Sequence, residues 1–243
     1  ARAYRSADKI TAISNFTKQE LLKRVTGVNI TVRTNGVDYD SFADAREQKL
    51  SSEFKKYKPY ILSVGSLRWR KGYRFSIRAF ALAQKVFPEL HYVIVGKRYT
   101  DKYYKELQNL ITELGLQESI SILENVDSKE SLHELYGNAE LFILLLQNKG
   151  YDVEGFGLVF LEAAAAGLPV IGARDCGVED AMRRGENGYL VGSRDIDEAA
   201  EEMLEILKDP QSKKSMSEKS LVFTRSMDWK YKMRQYIDLY QNL

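Results

Sequence analysis

The sequence predicts an α/β fold in which a parallel sheet is covered on both faces by helices. Two observations predict it. Short β-rich runs alternate with longer helix-patterned ones, the signature of consecutive βαβ units. The longest helical segments carry apolar residues at three- and four-residue intervals, as one buried helix face requires.

Taken in order, the candidate strands are "KITAIS", "ITVRT", "YILSVG", "HYVIVG", "SISIL", "LFILLL", "PVIGA" and "GYLVG". Between the third and fourth, the spacing predicts a helix over Tyr73 to Val86, with Phe75, Ile77, Ala79, Phe80, Leu82 and Ala83 as its apolar positions. A second helix is predicted over Lys102 to Leu114, stopped by Gly115. Pro59 and Pro169 stand just before apolar runs, as strand-entry residues do. The polar stretch from Asp44 to Lys58 reads as a loop or short helix leading into the main sheet. In "MDWKYKMRQYIDLYQNL", Trp229, Met233, Tyr236, Ile237 and Tyr240 recur at helical spacing, so a terminal helix docks an aromatic face.

A chain of 243 residues is long enough to bury a sizeable core. Its 36 Lys and Arg against 34 Asp and Glu leave a net charge of +2, too balanced to argue for nucleic acid. One cysteine, Cys176, forms no internal disulfide, and with only His91 and His133 beside it no zinc cage is available. A reducing compartment is the expectation. The chain opens "ARAYRSADKI", without an apolar signal core, and its longest apolar run, Leu141 to Leu146, is too short to cross a bilayer. It reads as a soluble, cytoplasmic fragment of something longer.

Chemistry is suggested by two strand-to-helix turns. In "LLLQNKGYDVEGFGLVFLEA" the helix begins near Gly157 or Leu158, where free N–H groups and the helix dipole favour an anion. Glu162 falls in its second turn among Leu, Val, Phe and Ala, and helical side chains point back toward the N-terminal end. Its two acceptor oxygens could receive a ribose cis-diol; a buried ion pair or simple dipole compensation are the other readings. The second turn, "YILSVGSLRWRKGY", carries Arg68, Arg70 and Lys71. Those cations suit a diphosphate or simply a solvated surface. Trp69 reads as packing on the helix, with stacking on a base as the other reading. Asp38, after the turn pair Asn35-Gly36, is read as structural, and so is Glu179, near the start of an expected helix in "DCGVEDAMRRGENG".

These stretches, in this order, resemble the nucleotide-sugar-binding half of a GT-B glycosyltransferase of the large retaining family 4 (glycosyl transferases group 1). "ADKITAISNFTKQELL" is similar to the end of that family's N-terminal domain and "NGVDYDSF" to its interdomain crossing. "VGSLRWRKG" resembles its diphosphate loop, "EGFGLVFLEAAAAGLPVI" its pair of glutamates eight residues apart, and "GENGYLV" its late strand.

The resemblance implies a Rossmann-like doubly wound sheet. Residues 1–36 would be the end of the N-terminal acceptor domain and the crossing, 37–228 the nucleotide-sugar-binding domain, and 229–243 a helix packing back toward the N-terminal domain. It implies that Glu154 contacts the donor sugar near its reacting carbon and that Glu162 holds the ribose hydroxyls. The amides of Phe156, Gly157 and Leu158 would lie against sugar and phosphate. Gly65, Ser66, Arg68 and Arg70 would form the diphosphate loop, with Lys71 as its clamp.

The implied donor is a UDP- or GDP-sugar and the acceptor a glycan or a lipid-linked molecule, with no cofactor and no metal. Location is expected to be cytoplasmic, with peripheral contact of the full-length protein at the inner face of a membrane. Since the acceptor site belongs to the N-terminal domain, the chain is expected to bind donor yet turn over poorly alone. Choice of base is assigned to a loop around Glu124 to Asp127. A non-catalytic nucleotide- or partner-binding module is the alternative.

Three positions depart from the family pattern. Ser66 stands where many members carry Arg, which leaves Arg68 or Arg70 to substitute. The extended "LLQNKGYDV" replaces the usual Pro-Ser before the first glutamate, and Cys176 replaces a common second glycine.

Overall fold

The computed structural model describes residues 2–241. Eight strands run β1 (Ile10–Ala12), β2 (Ile30–Val32), β3 (Tyr60–Val64), β4 (His91–Val95), β5 (Ile120–Leu123), β6 (Phe142–Leu144), β7 (Val170–Ala173) and β8 (Gly188–Val191). The helices are α1 (Arg2–Arg5), α2 (Asn15–Leu22), α3 (Tyr39–Ala43), α4 (Ser52–Lys55), α5 (Tyr73–Gln84) and α6 (Asp101–Glu113). They continue with α7 (Lys129–Asn138), α8 (Leu158–Ala165), α9 (Ile196–Lys208), α10 (Pro210–Ser226) and α11 (Trp229–Gln241).

The last six strands form one parallel sheet in the order β5-β4-β3-β6-β7-β8. Renumbered from its first strand this is 3-2-1-4-5-6, the Rossmann order, whose direction reverses between β3 and β6. Ligands of such sheets bind beyond the carboxyl ends of the strands at that reversal, so topology alone places the site after β3 and β6. Strands buried on both faces must be apolar throughout. Tyr60, Ile61 and Leu62 of β3 and all of β6 are fully buried.

One helical layer packs α5 against α6 and α9; the other joins α7, α8 and α10 through α3. Both expected helices appear within a residue or two of their predicted ends, as α5 and α6. The polar stretch before β3 becomes a 3-10 turn (Asp44–Glu47) and the short α4.

The segment "DCGVEDAMRRG" differs from expectation, because it makes only a 3-10 turn over Gly177–Asp180. It lies so close to the loop before α8 that a Cβ on Gly177 would sit 2.1 Å from the Gly155 carbonyl oxygen.

Strands β1 and β2 pair in parallel as a separate two-stranded sheet. Helix α2 ties this unit to the main domain. The Asn15 amide and side chain both donate to the Asp180 carboxylate at 2.7 Å, and the Thr17 hydroxyl donates to the Gly155 carbonyl at 3.0 Å. At the other terminus, Val37 and Trp229 bond through their backbones, and the Tyr236 hydroxyl donates to the Arg33 carbonyl at 2.9 Å. Helix α11 buries none of its described side chains, and Trp229, Tyr231, Met233, Ile237 and Tyr240 are exposed. Among the described residues no helix is long and apolar enough to cross a membrane.

Candidate active site at the sheet reversal

After β3 the chain turns through Gly65 and Ser66 into a 3-10 turn, Trp69–Lys71, and then α5. Gly72 joins the two with φ +69°, and a Cβ there would lie 1.7 Å from the Leu145 carbonyl oxygen. Only glycine meets both conditions, so the basic turn is pressed onto the end of β6. The stem of Lys71 runs along Gly65, whose added Cβ would stand 3.4 Å from Lys71 Cε. Trp69 is half-buried and packs against the core.

After β6 the chain makes a small hairpin closed by paired bonds between Lys149 and Asp152, each 3.0 Å. It then runs through Glu154 and Gly155 to Gly157, the N-cap of α8, at φ +83°. Gly157 offers no side-chain cap, and of the first-turn amides Phe160 N–H donates to the Gly157 carbonyl at 3.0 Å. Phe156 and Gly157 are buried, whereas the side chain of Leu158 is exposed.

These two loops meet at one carboxylate. Glu154 Oε2 accepts from Arg70 Nη1 and from Lys71 Nζ, both at 2.6 Å, while Asn148 Oδ1 accepts the Glu154 amide at 3.1 Å. Arg70 Nε also forms an ion pair with Asp152 at 3.0 Å. All three side chains of the Glu154 cluster are about 85% buried, which strengthens the charge-assisted bonds relative to an exposed pair.

Glu162 projects from the second turn of α8 and accepts the Tyr136 hydroxyl at 3.0 Å on Oε2. Its other oxygen has no hydrogen-bond partner among the described residues. Burial raises its pKa, opposed by the Tyr136 bond and by the positive charge of Lys71. No arginine or lysine forms an ion pair with it among the described residues, so the buried-ion-pair reading is not met. Lys71 is thus the cation felt by both glutamates, bonded to one and acting at a distance on the other.

Arg68 does not join this cluster. Its guanidinium stacks over the exposed Tyr99 ring at 3.5 Å to the centroid, on the β4 side of the cleft. The structure therefore brings Arg70, not Arg68, to the carboxylate. In the loop assigned to base choice, Glu124 is held by Arg98 at 2.8 and 3.1 Å and Asp127 by Lys97 at 2.7 Å. Glu179 accepts the Asp175 amide at 2.7 Å, a local turn bond that fits its structural reading. Asp38 sits at the start of α3 and reaches Lys129 at 3.4 Å.

Sequence reasoning missed Tyr136, Asn148, Asp152 and Gln147. The first lies on the ordinary apolar face of α7. The others sit in a polar loop whose residue types carry no periodic signal. A cavity of about 490 Å³ lies at the opposite, amino-terminal end of the sheet, between Arg46, Glu140, Pro169 and Lys213, away from the glutamates.

Comparison with known proteins bears on this arrangement. The profile of "Glycosyl transferases group 1" matches residues 44–221, a span that contains every residue of the cluster. The chain is 28% identical over 216 residues to the GDP-mannose-dependent alpha-(1-6)-phosphatidylinositol monomannoside mannosyltransferase of Mycolicibacterium smegmatis, covering 86% of this chain and 56% of that protein. It is 27% identical over 223 residues to the D-inositol 3-phosphate glycosyltransferase of Corynebacterium urealyticum, covering 88% and 51%. The chain spans about half the length of these curated relatives. Among solved structures, Anabaena HepE in complex with UDP superposes with a TM-score of 0.86 at 21% identity, covering 99% of this chain and 65% of that one. Sucrose-phosphate synthase from Thermosynechococcus elongatus gives 0.82 at 24% identity, covering 99% and 59%. At such identity the solved structures show the fold alone, the Rossmann-like half of a GT-B fold. Taken with the family match over 44–221, the chain belongs to the glycosyl transferases group 1 family.

Proposed function

We propose that this chain is the donor-binding part of a retaining glycosyltransferase that moves a hexose-like sugar from a UDP- or GDP-linked donor to a glycan or lipid-linked acceptor. The observation that carries the reading is the convergence of Arg70 and Lys71 on Glu154, beside the uncapped start of α8. Cations and oriented amides at one cleft are what a departing diphosphate needs, since charge grows on it as the glycosidic bond breaks.

In this reading the diphosphate lies against Lys71, Arg70 and the amides of Phe156, Gly157 and Leu158, with Gly65 and Ser66 lining the turn. Glu154 faces the sugar near its reacting carbon. Its negative charge, already placed beside two cations, orients the sugar hydroxyls without leaving the cluster. Glu162 offers its unpartnered oxygen to the ribose, and its raised pKa reflects the cost of holding a buried carboxylate until a donor of hydrogen bonds arrives. Positive charge from side chains and helix amides supplies the stabilisation without a metal. The relatives named above include a GDP-mannose-dependent enzyme and a structure holding UDP, which supports a nucleotide donor while leaving both bases in play.

Titration of UDP, GDP, UDP-glucose and GDP-mannose, each with magnesium and with EDTA, tests the reading. It predicts saturable binding of at least one nucleotide that survives EDTA. No response to any of them would favour a partner-binding module instead.

A further inference from the structure

Gln147 lies in the extended loop after β6, fully buried, and its side chain bonds to its own segment and to the loop after β8. The Nε2 amide donates to the Leu145 carbonyl at 2.8 Å and to the Ser193 carbonyl, in the loop after β8. The Oε1 accepts Arg194 Nε at 3.1 Å. Carbonyls only accept and a guanidinium only donates, so this environment fixes the orientation of the amide. The backbone N–H of the same residue donates to the Arg70 carbonyl at 2.7 Å. One buried residue thereby ties the loops after β3, β6 and β8 together at the sheet reversal.

Resting on the donor-site reading above, we infer that Gln147 is a positioning residue that sets the Arg70–Lys71 turn for the diphosphate. Two constraints act on that turn from below: the Leu145 carbonyl, against which Gly72 is pressed, and the Gln147 N–H on the Arg70 carbonyl. The Gln147 side chain also donates to that Leu145 carbonyl, so one residue bonds to a group in each constraint. Neither hydrogen bond reaches Glu162 or α7. The inference therefore concerns the diphosphate end of the donor and not the nucleoside end.

The experiment is a double-mutant cycle of Gln147→Met with Arg70→Ala, read by titration of a nucleoside diphosphate and its monophosphate into the full chain. Methionine keeps the volume and the backbone N–H on the Arg70 carbonyl but removes all three side-chain bonds that hold that N–H in place. The inference predicts that Gln147→Met weakens the diphosphate about tenfold, the scale of a lost buried hydrogen-bond set, and leaves the monophosphate within about twofold. It also predicts no further loss when Arg70→Ala is already present, because Gln147 acts through that turn. Equal loss for both nucleotides, or full additivity with Arg70→Ala, would overturn it. If Arg70→Ala leaves diphosphate binding unchanged, the donor-site reading itself fails and the inference falls with it. Should Gln147→Met not fold, Arg194→Ala at the exposed end of the network carries the same prediction at smaller size, again abolished in the Arg70→Ala background.

Discussion

Tyr136 in α7 donates its hydroxyl to Glu162 in α8 at 3.0 Å, and it is the one protein donor bonded to that carboxylate among the described residues. The phenol is itself fully buried and its own pKa is raised by burial. It therefore stays a donor across the whole accessible pH range. Replacing it with Phe removes the protein donor from a partly buried carboxylate, which costs about 1–3 kcal/mol for a bond to a charged group. Urea unfolding of Tyr136→Phe at pH 7 checks that loss, and nucleotide affinity is expected to fall with it.

Glu162→Gln is expected to act in the opposite direction on stability. A carboxyl whose folded pKa lies above its unfolded value contributes stability below the unfolded value and loses it as pH rises through the folded one. Burial gives Glu162 that sign. The variant should melt higher than wild type at pH 7–8, lose that advantage toward pH 4, and bind nucleotide less tightly. Melting curves over that range, with and without UDP or GDP, read both effects.

Lys71→Ala removes the cation that both glutamates feel. Nucleoside diphosphate binding is expected to weaken by about 10- to 100-fold, as for a charge-assisted phosphate contact, with a smaller loss for the monophosphate. Titrations at low and moderate salt should show a reduced salt dependence in the variant.

Gly72→Ala tests how tightly the basic turn is held. The left-handed φ and the 1.7 Å approach to the Leu145 carbonyl together imply a loss of about 2–5 kcal/mol. Gly150→Ala is the comparison, since its φ is +60° but no atom lies within 4 Å of an added Cβ. It should cost only the backbone strain.

Much of the fold is legible in the sequence because strands such as Tyr60–Val64 and Phe142–Leu144 are buried on both faces and must read as unbroken apolar runs. The start of α8 was legible for a related reason, since Gly157 and the apolar run after it mark a helix entry. Arg68 was not, because its stacking on Tyr99 depends on how the loops after β3 and β4 lie against each other. The hairpin after β6 was equally hidden. Its Asp152 and Gln147 are polar residues in a polar loop, and only the folded chain puts one on Arg70 Nε and the other under the Arg70 carbonyl. Tyr136 occupies a normal core position on α7, and nothing local distinguishes a tyrosine that packs from one that also serves a carboxylate 26 residues away.

The most direct measurement compares Glu154→Ala and Glu162→Ala with wild type by calorimetric titration of one nucleoside diphosphate and the corresponding nucleotide sugar. If the two glutamates face opposite ends of one donor, Glu162→Ala weakens both ligands alike, whereas Glu154→Ala, which also frees Arg70 and Lys71, chiefly removes the difference that the sugar makes. Unchanged nucleotide affinity in Glu162→Ala, or equal loss of both ligands in Glu154→Ala, would contradict that placement.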